Sequence, residues 1–147
     1  MRPADTAAAV SILECWNMAP RPPSAECPDP ERAVIDVAKS FVAALDDKVV
    51  GICSWIDLGD HRAETASMAV APEVRGTGIG TLLQQARLEE MRTCHVRQVR
   101  TETDRPETIR WLVEKFGFRI VGKNPKKHSF SLNEVSDWTV LELDLAS

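Results

Sequence analysis

The chain has 147 residues, a length that suits one domain, so a single domain spanning 1–147 is expected. Hydrophobic residues make up 44% and charged residues 27%, close to globular averages, which argues against a disordered or fibrous chain. The formal net charge of −4 lacks the basic footprint of a nucleic-acid binder and mildly favours a cationic partner.

In chain order, Asp5 or Thr6 can cap a first helix carrying Ala7, Ala8, Val10, Ile12, Leu13 and Trp16 and ending before Pro20. Pro20 to Pro30 is too rich in proline for helix or central strand and reads as a loop. A second helix is expected from Pro30 or Glu31, turning Val34, Ile35, Val37 and Ala38 inward. Phe41 to Leu45 and Val49 to Leu58 alternate as two strands joined by a tight turn at Asp46-Asp47-Lys48. Gly59-Asp60-His61 separates them from a strand at Ala63 to Val70, which Pro72 ends. From Ile79 a helix places Leu82, Leu83, Ala86 and Met91 inward and Gln84, Arg87, Glu89 and Arg92 on the wet face.

A short strand is expected at Val96 to Thr101. Pro106 then starts a helix with Ile109, Trp111, Leu112 and Phe116, which Gly117 stops. Strand resumes at Phe118 to Val121, a polar loop covers Lys123 to Asp137, and Trp138 to Leu145 forms the last strand. Cys15, Cys27, Cys53 and Cys94 show neither a CxxC pair nor zinc-spaced histidines, so free, mostly buried thiols and no metal are expected. No signal-like apolar run and no stretch of about 18 apolar residues occurs, which reads as a soluble, cytoplasmic protein without a membrane partner.

The chemically informative stretch is Met68-Ala69-Val70-Ala71-Pro72-Glu73-Val74-Arg75-Gly76-Thr77-Gly78-Ile79-Gly80, which leads from a strand into an amphipathic helix. Alternate glycines free the backbone for left-handed conformations, letting successive N–H groups and the helix dipole face an anion. A phosphate or pyrophosphate site is the physical expectation, against the plainer alternative of a turn with no ligand. A Walker A loop fails because no lysine follows the last glycine, and a Rossmann fingerprint fails because the spacing is GxGxG.

Here the sequence resembles the GNAT acetyltransferases. Their [Q/R]-x-x-G-x-[G/A] signature is met by Arg75, Gly78 and Gly80, and V-x-P-x-x-R-G-x-G-I-G is matched at every fixed position from Val70 to Gly80. A second family element appears at Val113-Glu114-Lys115-Phe116-Gly117-Phe118. The resemblance implies an α/β (α+β) GNAT fold, a mixed central sheet of six to seven strands flanked by helices, with the family's fourth and fifth strands splayed around pantetheine. It implies acetyl-CoA as cosubstrate, with Val70 on pantetheine, Arg75, Gly76, Thr77, Gly78, Ile79 and Gly80 around the pyrophosphate, and the Met68 N–H on the thioester carbonyl. The acceptor is expected to be a small-molecule or protein amine, and a homodimer is allowed.

Glu64, six residues before Val70, matches the glutamate base of the histone-acetyltransferase branch; the plainer reading is a solvated strand-start residue. Asp104 and His128 are the reserve candidates. Many family members carry at Val113 a tyrosine that protonates the departing thiolate, and this chain has no tyrosine, which opens the alternative of an acyl-CoA sensor. A protein lysine or N-terminal acetyltransferase is the third reading. The loops at Pro20 to Pro30 and Lys123 to Asp137 are where the resemblance puts the acceptor, with Lys126, Lys127 and His128 forming a locally basic wall. Trp16, Trp55, Trp111 and Trp138 fit the core better than an acceptor wall.

Overall fold

The computed structural model describes residues 1–19, 35–126, 131–132 and 134–145. A 3-10 turn at Pro3–Asp5 runs into α1 (Thr6–Glu14). The strands are β1 (Ser40–Leu45), β2 (Lys48–Gly59), β3 (Arg62–Val70), β4 (Gln98–Thr103), β5 (Arg119–Pro125) and β6 (Asp137–Asp144), with α2 (Ile79–Thr93) and α3 (Pro106–Phe116) interleaved. They form a six-stranded mixed sheet in the order β1-β2-β3-β4-β6-β5, within the expected six to seven.

Both early hairpins close through two consecutive left-handed residues, Asp46 (φ 49) with Asp47 (φ 65) and Asp60 (φ 52) with His61 (φ 61). Two-residue turns of that hand match the twist of the strands they join, and aspartate and histidine tolerate the conformation better than bulky residues do. β3 pairs with β4 in parallel through Arg62↔Gln98, Ala63↔Val99 and Glu64↔Arg100. These three pairs all lie in the first half of β3, which runs on to Val70.

The chain divides into two compact units, Met1–Trp55 with Ala66–Glu90, and Ile56–Thr65 with Met91–Ser147. In the first, Ala9, Ile12 and Leu13 of α1 pack with Val50, Ile52, Ala69 and Ala71, which explains the apolar spacing of that helix. In the second, Ala63, Val99, Leu112, Phe118, Val140 and Leu141 are buried.

The expected second helix falls partly at 31–34, outside the described residues, and its end at Val37–Lys39 is a single 3-10 turn. Local bonds compete with a helix there: Ala38 N–H donates to Asp36 Oδ1 at 3.0 Å, and Ser40 Oγ donates to Asp36 O at 2.6 Å. β5 runs on through Lys123 to Pro125, where a loop was expected, because its partners in β6 extend to Asp137. Cys53 is buried, but Cys15 and Cys94 are exposed, so the expectation of mostly buried thiols fails; Cys27 lies outside the described residues.

The wet face of α2 is also corrected. Leu82 is exposed, whereas Gln84 and Arg87 are 0% and 3% exposed, sharing the inward stripe with Leu83, Leu88 and Met91. Arg87 Nε donates to Gln84 Oε1 at 3.1 Å, and its Nη1 donates to the carbonyls of Ser54 at 2.9 Å and Ser67 at 3.4 Å. Those carbonyls of β2 and β3 are what draw a cation inward. Burial pushes the Arg87 guanidinium below its ordinary pKa, yet an arginine remains a cation at any working pH.

Gly117 ends α3 at φ 77, and a Cβ there would meet no atom within 4 Å, so only backbone strain opposes a side chain. Gly117→Ala is expected to cost about 1 kcal/mol in urea unfolding. Gly122→Ala, equally open and without a left-handed φ, is expected to fall within about 0.5 kcal/mol of the parent. Burial raises the Cys53 thiol pKa. In a Cys27→Ser background at about pH 8, mass spectrometry should find iodoacetamide on Cys15 and Cys94, and on Cys53 only after unfolding.

Candidate active site

The first unit holds every residue expected to bind the cofactor. Met68 and Val70 lie half-buried near the end of β3, and a 3-10 turn at Pro72–Val74 carries the chain to Arg75. Gly76 (φ 79) and Gly78 (φ 88) are both left-handed, and a Cβ on either would meet nothing within 4 Å. Thr77 Oγ1 donates to Val74 O at 2.6 Å, fixing the turn. Leu82 N–H donates to Gly78 O at 3.2 Å, which makes Gly78 the residue on which α2 begins. The amides of Ile79, Gly80 and Thr81 therefore occupy the first turn, where a helix has no carbonyl of its own to offer.

This loop and first turn are open, glycine-lined and at the positive end of a 15-residue helix, which suits a doubly anionic pyrophosphate. A Cβ on Gly80 would meet only Val70 Cγ2, at an ordinary contact distance of 3.8 Å. Trp16, read from sequence as core, does more than pack. Its Nε1 donates to Val70 O at 2.9 Å, and the Arg75 guanidinium sits 5.6 Å from its ring centroid. The indole thus ties α1 to the end of β3 and backs the arginine of the loop.

The second unit holds Glu64. It is half-buried, in register with Arg100 across the parallel ladder, and Arg100 is in turn in register with Glu142 of β6. Arg100 Nη2 donates to Glu102 Oε1 at 2.6 Å. The Glu102 carboxylate above all, with smaller help from Glu64 and Glu142, holds the Arg100 guanidinium protonated beyond its usual range. Thr65 Oγ1 donates to Thr101 Oγ1 at 2.8 Å, pinning the register one residue further on.

Of the reserve bases, Asp104 is 3% exposed and accepts from Lys126 Nζ at 2.6 Å and from Leu132 N–H at 2.8 Å. A carboxylate so occupied is a structural anchor, and it neutralises the first cation of the expected basic wall. His128 and Lys127, like the Pro20 to Pro30 loop, lie outside the described residues. Val113 is exposed on α3 and lines a shallow cleft with Pro106, Ile109 and Ile120. Trp55 and Trp138 are buried as expected, while Trp16 and Trp111 are only half-buried. Among the described residues no group of three His, Cys, Asp or Glu side chains could hold a metal, and no helix is long and apolar enough to cross a membrane.

The family pattern of an acetyltransferase (GNAT) domain matches residues 36–120. The chain belongs to the GNAT acetyltransferases. No curated protein matches the sequence. Among solved structures, Ard1 from Thermoplasma volcanium aligns over 100% of this chain and 95% of its own, with TM-score 0.80 and 21% identity. The ribosomal-protein-S18-alanine N-acetyltransferase from Escherichia coli aligns over 100% and 92%, with TM-score 0.75 and 16% identity. A GNAT family acetyltransferase from Elizabethkingia anophelis with acetyl-CoA bound aligns over 72% and 75%, with TM-score 0.64 and 19% identity. At these identities the structures speak for the fold.

As a GNAT acetyltransferase the chain is an enzyme of acetyl transfer, with acetyl-CoA as donor. Sequence reasoning found its glycine loop and missed Trp16, Arg87 and Arg100. Arg87 carried a usable signal, since residues 83, 87 and 91 recur at helical spacing and bracket it with Leu83 and Met91. Trp16→Phe keeps a ring beside Arg75 and deletes only the indole donor. It is expected to lower unfolding free energy by about 1 kcal/mol in urea, the net worth of one hydrogen bond.

Proposed function

We propose that this GNAT enzyme acetylates a primary amine by direct attack of the amine on the thioester, with both substrates bound together. The observation that carries the reading is the Arg75–Gly80 loop, whose two left-handed glycines and adjoining helix turn suit the pyrophosphate of acetyl-CoA. On this reading the Val70 backbone holds the pantetheine arm. The Met68 N–H meets the thioester oxygen, where charge builds during transfer. Acetyl-CoA supplies the activated acetyl group.

Glu64 is the proposed base. An alkylammonium of pKa near 10.4 costs about 4–5 kcal/mol to deprotonate at pH 7, whereas a peptide α-amine near 7.7–8.0 costs only about 1. The first proton leaves the ammonium for Glu64, directly or through one water. The C–N bond then forms as the C–S bond breaks, with its electron pair going to sulfur. The second amine proton ends on that sulfur, carried by water or a hydroxyl, since the chain has no tyrosine. The net charge of −4 and the pairing of Lys126 by Asp104 support a cationic acceptor. Two neighbours are described as ribosomal-protein alanine N-acetyltransferases, so peptide α-amines join lysine side chains and small amines among the acceptors to try.

The missing tyrosine favours one second reading, an acyl-CoA sensor without catalysis. A panel of amines and peptides with acetyl-CoA decides between them, because a sensor binds the donor and acetylates nothing. Two substitutions then separate binding from chemistry. Glu64→Gln is expected to lower the acetylation rate by about 10²–10⁴-fold with acetyl-CoA affinity nearly unchanged. Gly80→Asp, whose Cβ has room, is expected to lower that affinity about tenfold or more by calorimetry while the protein stays folded. Wild-type turnover in Glu64→Gln from about pH 6 to 9 would sink the assignment of the base.

A further inference from the structure

Arg87 is a buried cation with no acidic partner among the described residues. Its donors go to Gln84 Oε1 and to the carbonyls of Ser54 and Ser67. Gln84, its side-chain partner, is fully buried and leaves Nε2 without a hydrogen-bond partner among the described residues. A helix that merely needed to sit on the sheet would be served as well by two apolar residues of similar volume, as Leu83, Leu88 and Met91 serve beside them.

The placement of the charge gives it a use. Ser67 O and Met68 N–H are the two ends of one peptide group. In a trans peptide these groups point in opposite directions, and no cis bond occurs among the described residues. With Ser67 O held towards Arg87, Met68 N–H points away from it. A cation on the carbonyl end also draws electron density through the amide and makes its N–H a stronger donor. The contact of 3.4 Å is long for a neutral hydrogen bond, but the attraction of a full charge in a partly buried setting fades more slowly with distance than in water.

We propose that Arg87, steadied by Gln84, is a positioning residue that orients and polarises the Ser67–Met68 peptide, so that Met68 N–H is a preorganised donor to the acetyl carbonyl of acetyl-CoA. The inference rests on the role given to Met68 under Proposed function. Arg87 touches neither substrate and acts through that peptide.

The test is isotope-edited infrared spectroscopy of the full-length protein with acetyl-CoA labelled with ¹³C at the thioester carbonyl. Affinities for acetyl-CoA and CoA and the slow hydrolysis of acetyl-CoA are measured alongside. Wild type is expected to move the carbonyl stretch to lower frequency than in free acetyl-CoA. Arg87→Met should lose part of that shift and slow hydrolysis about 5- to 10-fold, near a third of the logarithm that losing such a donor outright costs, with CoA affinity within about twofold. Arg87→Lys, which keeps a cation, should recover part of both. A folded Arg87→Met with the wild-type frequency overturns the proposal. So does one that loses affinity for CoA and acetyl-CoA alike without a frequency change, which is the mark of a purely structural role. If Arg87→Met does not fold, Gln84→Met decides, with a smaller loss of the shift expected and an unchanged frequency overturning the proposal. A wild-type protein that binds acetyl-CoA with no shift at all overturns the role of Met68 first, and this inference with it.

Discussion

The need of strand β3 to satisfy its backbone hydrogen bonds is the constraint from which much of the first unit follows. A strand that offers backbone groups to a ligand cannot commit them all to neighbouring strands, and buried groups left without partners are costly. Here two side chains from outside the sheet take up carbonyls near its end: Trp16 holds Val70 O, and Arg87 holds Ser67 O together with Ser54 O of β2. Both have a cost. Moving a guanidinium out of water costs several kcal/mol before its bonds are counted, and Gln84 Nε2, with no partner among the described residues, adds roughly 1–3 more. The apolar contacts of α1 on Val50, Ile52, Ala69 and Ala71 must offset this, and they hold the indole where its N–H can reach β3.

In the second unit the equivalent constraint is register. Glu64, Arg100, Glu142 and Arg119 stand opposite one another across β3, β4, β6 and β5, so the signs alternate along one rung. Each opposed pair contributes about a few tenths of a kcal/mol, too little to hold the sheet. A slip of one residue would nonetheless send Glu64 to the face now held by buried Ala63 and Thr65, where a carboxylate has no water. The rung and the Thr65–Thr101 bond thus work as a register lock for the proposed base more than as a source of stability.

How much of this was legible in the sequence depends on whether a residue's chemistry or its neighbours decide its place. The Arg75–Gly80 loop was legible because backbone freedom and helix polarity are local, and so were the hairpin turns at Asp46-Asp47 and Asp60-His61. Gln84 and Arg87 were misread because polarity was taken for exposure, although their spacing put them on the stripe of Leu83 and Met91. Lys126 belongs, on sequence, to a locally basic wall with Lys127 and His128, since nothing local announces that Asp104, 22 residues earlier, will pair its charge. The helix expected from Pro30 was overruled at Val37–Lys39 by the Asp36 carboxylate and the Ser40 hydroxyl, which capture the backbone first.

The absence of tyrosine shifts where the proposed chemistry must find its help. A thiol of pKa near 8.5 leaves as thiolate at modest cost, roughly 2 kcal/mol at pH 7, so an acid at that step is the least needed of the usual aids. Freeing an alkylamine from its proton costs about twice as much, and stabilising charge on the thioester oxygen is worth roughly 3–4 kcal/mol for a single well-placed donor. The heavier demands therefore fall on the base and on the amide donor. This chain has Val113 where the family resemblance puts an acid, and a buried arginine bonds the carbonyl of the peptide whose other end is Met68 N–H. On the proposed assignment, electrostatic preparation of the carbonyl carries more of the barrier here than protonation of the leaving group.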